Sequence, residues 1–228
     1  MLFWTKSLAK NDKSLNLKLD GNALERTGCT KFLGVFFDDK LTWHQHINHV
    51  AGKISRGLGM IGRVRNMLPF NVLRTLYYSL IYPYLNYCCL IWGGASATAL
   101  HKIEVLQNRS IRLITRAPFR SSSGSIYKRL NLLKIVDIRL LQIDVFMFKV
   151  KHNQLPSCCL NYFKLNSVSH SLRVVNYFAI QSFRTKIREQ SISVAGPRVW
   201  ATISVNIQNS ASVASFKRCF SNYVISLY

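Results

Sequence analysis

Between Lys31 and Trp43 the hydrophobic period of this chain changes, and that change limits what the surrounding residues can fold into. Upstream, Leu15, Leu17 and Leu19 alternate with Asn16 and Lys18, the two-residue period of a strand, and Asp20-Gly21-Asn22 supplies a turn. Phe32 to Phe37 is the next apolar run, and Asp38-Asp39 ends it. From Thr42 the period is helical. Trp43, Ile47, Val50, Ile54, Leu58, Ile61 and Leu68 recur mostly three or four residues apart and form one apolar stripe, with Lys53, Arg56 and Arg63 largely off it. Thr42 and Gln45 fit a capping box, in which the threonine oxygen would satisfy a free amide of the first turn. Little strand before and much helix after this point give an α+β class, mainly α.

The helical pattern continues downstream. Pro69 suits the first turn of a second helix carrying Val72, Leu73, Leu76, Tyr77 and Leu80. Thr75 to Ala99 holds no charge and is long enough to span a bilayer, yet its tyrosines, Asn86, Pro83 and Gly93-Gly94 suit a buried helix broken near Pro83, so no membrane association is expected. A third helix is predicted from about Ala97 to Arg116, with Leu100, Ile103, Leu106, Ser110, Ile111 and Ile114 inward. Ala117 to Gly124 reads as a loop and as the best internal boundary. Asp137 then caps a strongly apolar helix, Ile138 to Val150, which ends near His152-Asn153-Gln154-Leu155-Pro156. Leu165 to Arg188 is polar and basic, and Ser191 to Trp200 and Val213 to Tyr223 regain an apolar pattern. Three segments result: a small N-terminal β part (1–40), a helical bundle (41–117) and a mixed, basic C-terminal region (118–228).

Charge narrows the function. The chain has 31 Lys and Arg against 9 Asp and Glu, a net charge of +22, while 49% of it is apolar, enough to bury a core. Such an excess repels itself, and polyanions are its natural counterparts. Between Lys40 and Ile103 no acid occurs, while Lys53, Arg56, Arg63, Arg65, Arg74 and Lys102 do; Arg109, Arg112, Arg116, Arg120, Lys128, Arg129 and Lys134 follow before Asp137. A long surface that tracks a phosphate backbone fits this spread better than one compact pocket. The six cysteines include two adjacent pairs and no C-x-x-C spacing, and Met1-Leu-Phe-Trp-Thr-Lys lacks the run and cleavage site of a signal peptide. Reduced, mostly buried cysteines in an intracellular protein, nuclear or cytoplasmic, are expected.

Three local patterns imitate chemistry. Gly57-x-Gly59-x-x-Gly62 matches a dinucleotide fingerprint, but it lies inside a helical pattern with no acid until Glu104, so close helix packing is expected instead. His44, His46 and His49 have no cysteine or acid to complete a zinc set and read as polar residues on a helix surface. Phe36-Phe37-Asp38-Asp39 mimics the aromatic-x-Asp-Asp box that holds catalytic metals in polymerases. Two-metal chemistry needs carboxylates from at least two places. Of the upstream acids Asp12, Asp20 and Glu25, neither Asp12 nor Asp20 sits on a strand able to aim at Asp38. An acidic turn ahead of a helix is the ordinary account. No catalytic residue, metal or cofactor is expected.

Several motifs in fixed order carry a resemblance. Lys31-Phe-Leu-Gly-Val, Asp38, Leu41-x-Trp43, His46-Ile47, Val50, Lys53-Ile54 and Gly57 come first. Leu76-Tyr77-x-Ser79-Leu80-Ile81-x-Pro83-x-Leu85-x-Tyr87-Cys88, Ile91-Trp92-Gly93 and Leu106-Gln107-Asn108-Arg109-x-Ile111-Arg112-Leu113-Ile114-Thr115 follow. Asn153-Gln154-Leu155-Pro156, Ser191-Ile192-Ser193-x-x-Gly196-Pro197-Arg198-x-Trp200 and Ser215-Phe216-Lys217-Arg218 close the series. Over roughly residues 28–223 the chain resembles the reverse transcriptases of non-LTR retrotransposons, jockey-like RNA-directed DNA polymerases, just after their catalytic aspartates.

The resemblance implies that residues 1–40 are a palm remnant whose Phe32-Leu33-Gly34 hairpin grips a primer end. It implies that 41–117 form the thumb that holds the template–primer duplex, and that 118–228 are the region behind it. Phe32, Leu33, Gly34, Lys53, Arg56, Arg63, Arg65, Arg109 and Arg112 would then touch RNA and DNA. The family's catalytic box precedes the Phe-Leu-Gly strand, so Asp38-Asp39 would lie after it. Fingers, most of the palm, both catalytic aspartate motifs, any endonuclease and the Cys/His knuckle of some relatives have no counterpart here, as in a truncated element that begins at a chance Met1. The expected product is a polymerase fragment that binds template–primer nucleic acid and does not polymerise. The alternatives are a domesticated helical module that meets a protein partner through an exposed palm-facing surface around Phe32, Val35, Phe37 and Trp43, and a pseudogene product without function.

Overall fold

The structure is a computed structural model and describes residues 17–166 and 177–228; Asp12, the strand alternation at Leu15 and the middle of the polar stretch after Leu165 lie outside them. The fold is α+β, mainly α. Strand β1 (Lys18–Leu19) pairs antiparallel with β2 (Asn22–Ala23) across Asp20-Gly21, the turn expected there, and β3 (Cys29–Phe32) pairs with β4 (Val35–Asp38).

Helix α1 (His44–Val64) buries Ile47, Val50, Ile54, Leu58 and Ile61, the stripe that the sequence spacing marks. Its start differs from the expected capping box. Trp43 occupies the cap position in a left-handed conformation and makes no side-chain cap bond. Asp38 instead fixes the turn that precedes the helix. Its Oδ1 accepts from the Thr42 amide at 2.8 Å and the Thr42 hydroxyl at 3.1 Å, and its Oδ2 accepts from the Trp43 amide at 2.8 Å. A carboxylate so placed satisfies donors ahead of a helix and complements its dipole. The pair that imitates a catalytic box is thus anchored as the acidic turn into α1.

Helix α2 (Phe70–Leu80) follows Pro69, which sets an extended cap; α3 (Tyr82–Asn86) follows the break ahead of Pro83, and α4 (Cys89–Trp92) is set off from it by Tyr87 and by Cys88 at positive φ. Among the described residues no helix is long and apolar enough to cross a membrane. Helix α5 (Ala97–Thr115) runs beside α1 and turns Ile103, Ser110, Ile111 and Ile114 inward. Inside the stretch read as a loop, α6 (Ser123–Leu130) begins at Ser123.

Helix α7 (Ile135–Lys151) starts three residues earlier than expected. Asp137 lies in its first turn and not at its cap, and its carboxylate accepts from the Tyr228 hydroxyl. This helix is apolar nearly all round because it is packed on several sides, by α3, α4, α5, α10 (Ile192–Trp200) and α12 (Val213–Ser226). Two glutamines fasten it. Gln107 is fully buried on α5, donates to Leu133 O at 2.9 Å and accepts from the Ile135 amide at 2.8 Å. Gln142 accepts from the Leu90 amide at 2.9 Å and donates to Asn86. The short helices α8 (Ser157–Leu160), α9 (Lys186–Gln190) and α11 (Val205–Gln208) complete the described elements. One cluster of buried apolar residues runs from Ile47 to Ile225 and continues across the loop after Ala117. The six cysteines are unpaired, but only Cys89 is buried, which corrects the expectation that most would be; Cys158 is exposed.

Candidate functional site

The β3–β4 hairpin turns through Leu33 (φ 45°) and Gly34 (φ 81°). Positive φ at both central residues matches the twist of a two-residue hairpin, but in leucine it costs about 1–2 kcal/mol. The turn is tied down from a distance. Tyr87 Oη donates to Leu33 O at 2.6 Å, and a Cβ on Gly34 would sit 3.6 Å from the Tyr87 ring. Phe32 and Leu33 remain 63% and 73% exposed, so the hairpin presents two apolar side chains at a fixed tip.

The base of the hairpin rests on α1. The Phe36 amide donates to His46 Nδ1 at 3.4 Å, His46 packs edge-on to Trp92 at 5.4 Å, and Phe36 packs on His49 at 5.0 Å. His46 is buried, which corrects its reading as a surface histidine; burial above all, then His49, pushes its pKa down to about 4. It is a neutral strut between β4, α1 and Trp92. His49 also titrates below its ordinary value, first through burial and then through Lys53, Lys31 and Arg56. Those four basic groups therefore form one patch on the flank of the hairpin, with Lys31 Nζ 5.7 Å from the Phe36 ring centre.

Beyond that patch α1 offers an open face. Asn48, Gly52, Ser55 and Gly59 fall on one line by helical spacing. A Cβ at Gly52 or Gly59 would meet nothing within 4 Å. Helix α5 borders this line: Lys102 Nζ donates to Asn48 Oδ1 at 2.8 Å, and exposed Arg109 follows two turns later. Arg56 and Arg63, both exposed, stand about 10 Å apart along the helix axis. The exposed side chains of Arg63, Arg65 and Arg109 meet no carboxylate among the described residues.

The expected contact residues thus fall into groups. Phe32, Leu33 and Gly34 form the tip, Lys53 and Arg56 share its flank, Arg63 and Arg65 lie at the far end of α1, and Arg109 lies across the open face. Arg112 has another task, since its guanidinium donates to Ser121 O at 3.1 Å and lies over Phe119, pinning the loop after α5. Arg116 closes the end of α1 by donating to Arg65 O and Leu68 O. Sequence reasoning missed Tyr87 as the anchor of the hairpin and Lys31 as part of the patch. Both lie within quoted motifs, but their roles depend on contacts distant in sequence.

Gly57, in the fingerprint-like run, lies inside α1, and a Cβ there would approach Leu80 O to 3.0 Å, so the glycine permits close contact with the end of α2. Among the described residues no three His, Cys, Asp or Glu gather as a metal site. The exposed apolar surface expected around Phe32, Val35, Phe37 and Trp43 is smaller than the sequence suggests. Val35 is buried, and Phe37 and Trp43 are half-buried against each other at 5.3 Å.

Over 119 residues the chain is 27% identical to a protein described as a probable RNA-directed DNA polymerase from transposon BS of Drosophila melanogaster, covering 51% of this chain and 13% of that protein. It is 30% identical over 125 residues to the RNA-directed DNA polymerase from mobile element jockey of the same fly, covering 53% and 14%. The jockey counterpart in Drosophila funebris is 30% identical over 122 residues. The chain therefore spans only about 13–14% of the length of these curated relatives. No protein-family model matches the chain, and no solved structure does.

Proposed function

We propose that this chain, related over about half its length to the RNA-directed DNA polymerases of non-LTR retrotransposons, holds a nucleic-acid duplex and does not itself carry the polymerising chemistry. The observation that carries this reading is the fixed hairpin tip beside the patch of Lys31, His49, Lys53 and Arg56. Phosphates attract the patch, and the open line of Asn48, Gly52, Ser55 and Gly59 lets a sugar–phosphate backbone approach α1 closely. Arg63 extends the basic track along the side of Arg56, Arg109 borders it from α5, and Arg65 adds charge at the end of α1 on the opposite side. Phe32 and Leu33 lie flat against the terminal sugar and base of a primer, with Gly34 allowing close backbone approach. Arg112 acts one step removed, by holding the loop after α5 in place.

The division of labour is a hairpin remnant of a palm (1–40), a thumb (41–117) and a supporting region (118–228). Asp38 has a structural task in it: four donors surround its carboxylate, with the Lys40 amide as the fourth at 3.2 Å. The recognition is sequence-tolerant, because it is built from phosphate contacts and stacking surfaces.

The test is the affinity of the chain for an RNA–DNA duplex with a recessed end, measured by fluorescence anisotropy over a series of salt concentrations. Steep loss of affinity with salt is expected, with log–log slope near −0.9 for each phosphate neutralised. A nearly flat dependence would overturn the reading, and tight copurification of one protein in high salt without nucleic acid would favour the interaction module instead.

A further inference from the structure

After Glu104 the chain contains only Asp137, Asp144 and Glu189 as acids, and all three line one cleft of about 670 Å³ between α7, α9, α10 and α12. In a molecule of net charge +22 these acids face a single cation in the cleft, Arg198. Asp137, Leu140 and Asp144 share one face of α7 by their spacing, and Val199, Phe220 and Val224 supply apolar wall from the facing helices. Two of the acids are already engaged: Asp137 accepts from Tyr228, and Glu189 accepts from Arg198 at 3.3 Å.

Asp144 differs. It is fully buried, and neither carboxyl oxygen has a hydrogen-bond partner among the described residues. Buried polar groups normally find partners, and an unpartnered carboxyl on a cleft wall asks for one from outside. The wall offers an unsatisfied carboxyl, the charge of Asp137 close by and apolar surface together, in a volume typical of ligand sites. An anion is disfavoured there, and a purely apolar body leaves the carboxyl unsatisfied.

We propose that this cleft binds an organic cation, a primary ammonium or guanidinium on an apolar stem, with its charge against Asp144 and its stem along Leu140, Phe220 and Val224. A free alkylamine and a lysine or arginine side chain of a polypeptide share that chemistry. The site is independent of the duplex-holding surface, on other helices. Burial lifts the Asp144 carboxyl to about 8, so it is protonated in the empty cleft near neutrality, and a bound cation drives its ionisation. The other titratable or charged groups facing the cleft are Asp137 with Tyr228, Glu189 with Arg198, and Tyr223.

The test titrates the full chain with n-hexylammonium, n-hexanol and hexanoate by calorimetry at constant ionic strength. Hexylammonium is expected to bind about tenfold more tightly than hexanol, the scale of one charged hydrogen bond, with hexanoate weakest. Asp144→Asn, and independently Asp144→Leu, should abolish that preference while leaving hexanol binding in place. The capped tripeptide acetyl-Leu-Lys-Leu-amide separates the sources: tighter binding than hexylammonium assigns the site to a polypeptide side chain, weaker binding to a free amine. Equal affinity for hexylammonium and hexanol, or a preference that survives both substitutions, overturns the proposal.

Discussion

Replacing Asp144 with asparagine keeps the shape of the side chain and removes its proton chemistry, and the structure sets the size of the effect. The carboxyl titrates near 3.8 when free and at about 8 in the fold, raised by burial. The folded state therefore keeps a proton that the unfolded state releases. The stability this group contributes is whole below its unfolded value and is lost as the pH rises toward its folded value. Within that window each pH unit is worth about 1.36 kcal/mol. The ionisable aspartate thus costs roughly 2 kcal/mol near pH 5 and roughly 4 kcal/mol near pH 7, relative to a group that never ionises. The asparagine amide is still a buried polar group, so the pH-dependent part of the difference is the quantity to read. Urea unfolding of both proteins across pH 5 to 8 measures it. The gap in favour of Asp144→Asn should widen by about 1.4 kcal/mol for each pH unit and level off above about pH 8. A gap that stays constant with pH would refute the reasoning, because it would mean that Asp144 ionises in the folded state as it does in the unfolded one.

His46 behaves in the opposite sense. Its folded value is lowered from 6.5 to about 4, so its contribution is whole above the unfolded value and lost as the pH falls toward the folded one, by up to about 3 kcal/mol; His46→Asn, which keeps an acceptor for the Phe36 amide, should flatten the acid side of the stability curve in urea titrations. Gly57→Ala should destabilise by about 1–3 kcal/mol because its Cβ meets Leu80 O, whereas Gly59→Ala, in open space, should stabilise by about 0.5–1 kcal/mol, both read from unfolding midpoints. Tyr87→Phe removes the hydroxyl that holds Leu33 O and should weaken binding to a recessed duplex end more than binding to a blunt duplex of equal length, measured by anisotropy.

Much of the fold was legible where one helix face carries the signal. The stripe from Ile47 to Ile61 appears in the structure as the sequence spaces it, and the break at Pro83 appears as separate helices. Helix α7 was visible as an apolar run, but packing on several sides erased the polar face that would mark its limits, so Asp137 looked like a cap. The Ser-rich start of α6 looked like a loop for the same lack of a clear apolar period. At the candidate site, Phe32-Leu33-Gly34 and the cations of α1 could be named from the sequence. The bonds that organise them could not, since Tyr87 reaches Leu33 across 54 positions and His46 reaches Phe36 across 10. The acidic turn is legible at Asp38-Asp39, but capping-box spacing points to Thr42 as the cap of α1, because Asp38 acts through a fold-back of the chain rather than through helical spacing.

The central claim is that a particular face holds the duplex, beyond the general attraction of a basic chain for a polyanion. Two triple variants of equal charge test it: Arg56→Ala, Arg63→Ala and Arg109→Ala on the proposed face, and Lys164→Ala, Lys217→Ala and Arg218→Ala at exposed positions elsewhere. Affinity for an RNA–DNA duplex is measured for each against salt concentration. The first variant should lose about 2.7 from the magnitude of the log–log slope, near 0.9 for each phosphate contact removed, while the second keeps the slope of the unaltered chain. Equal losses in the two variants would contradict the account, since the duplex would then be held by net charge and not by the hairpin and α1.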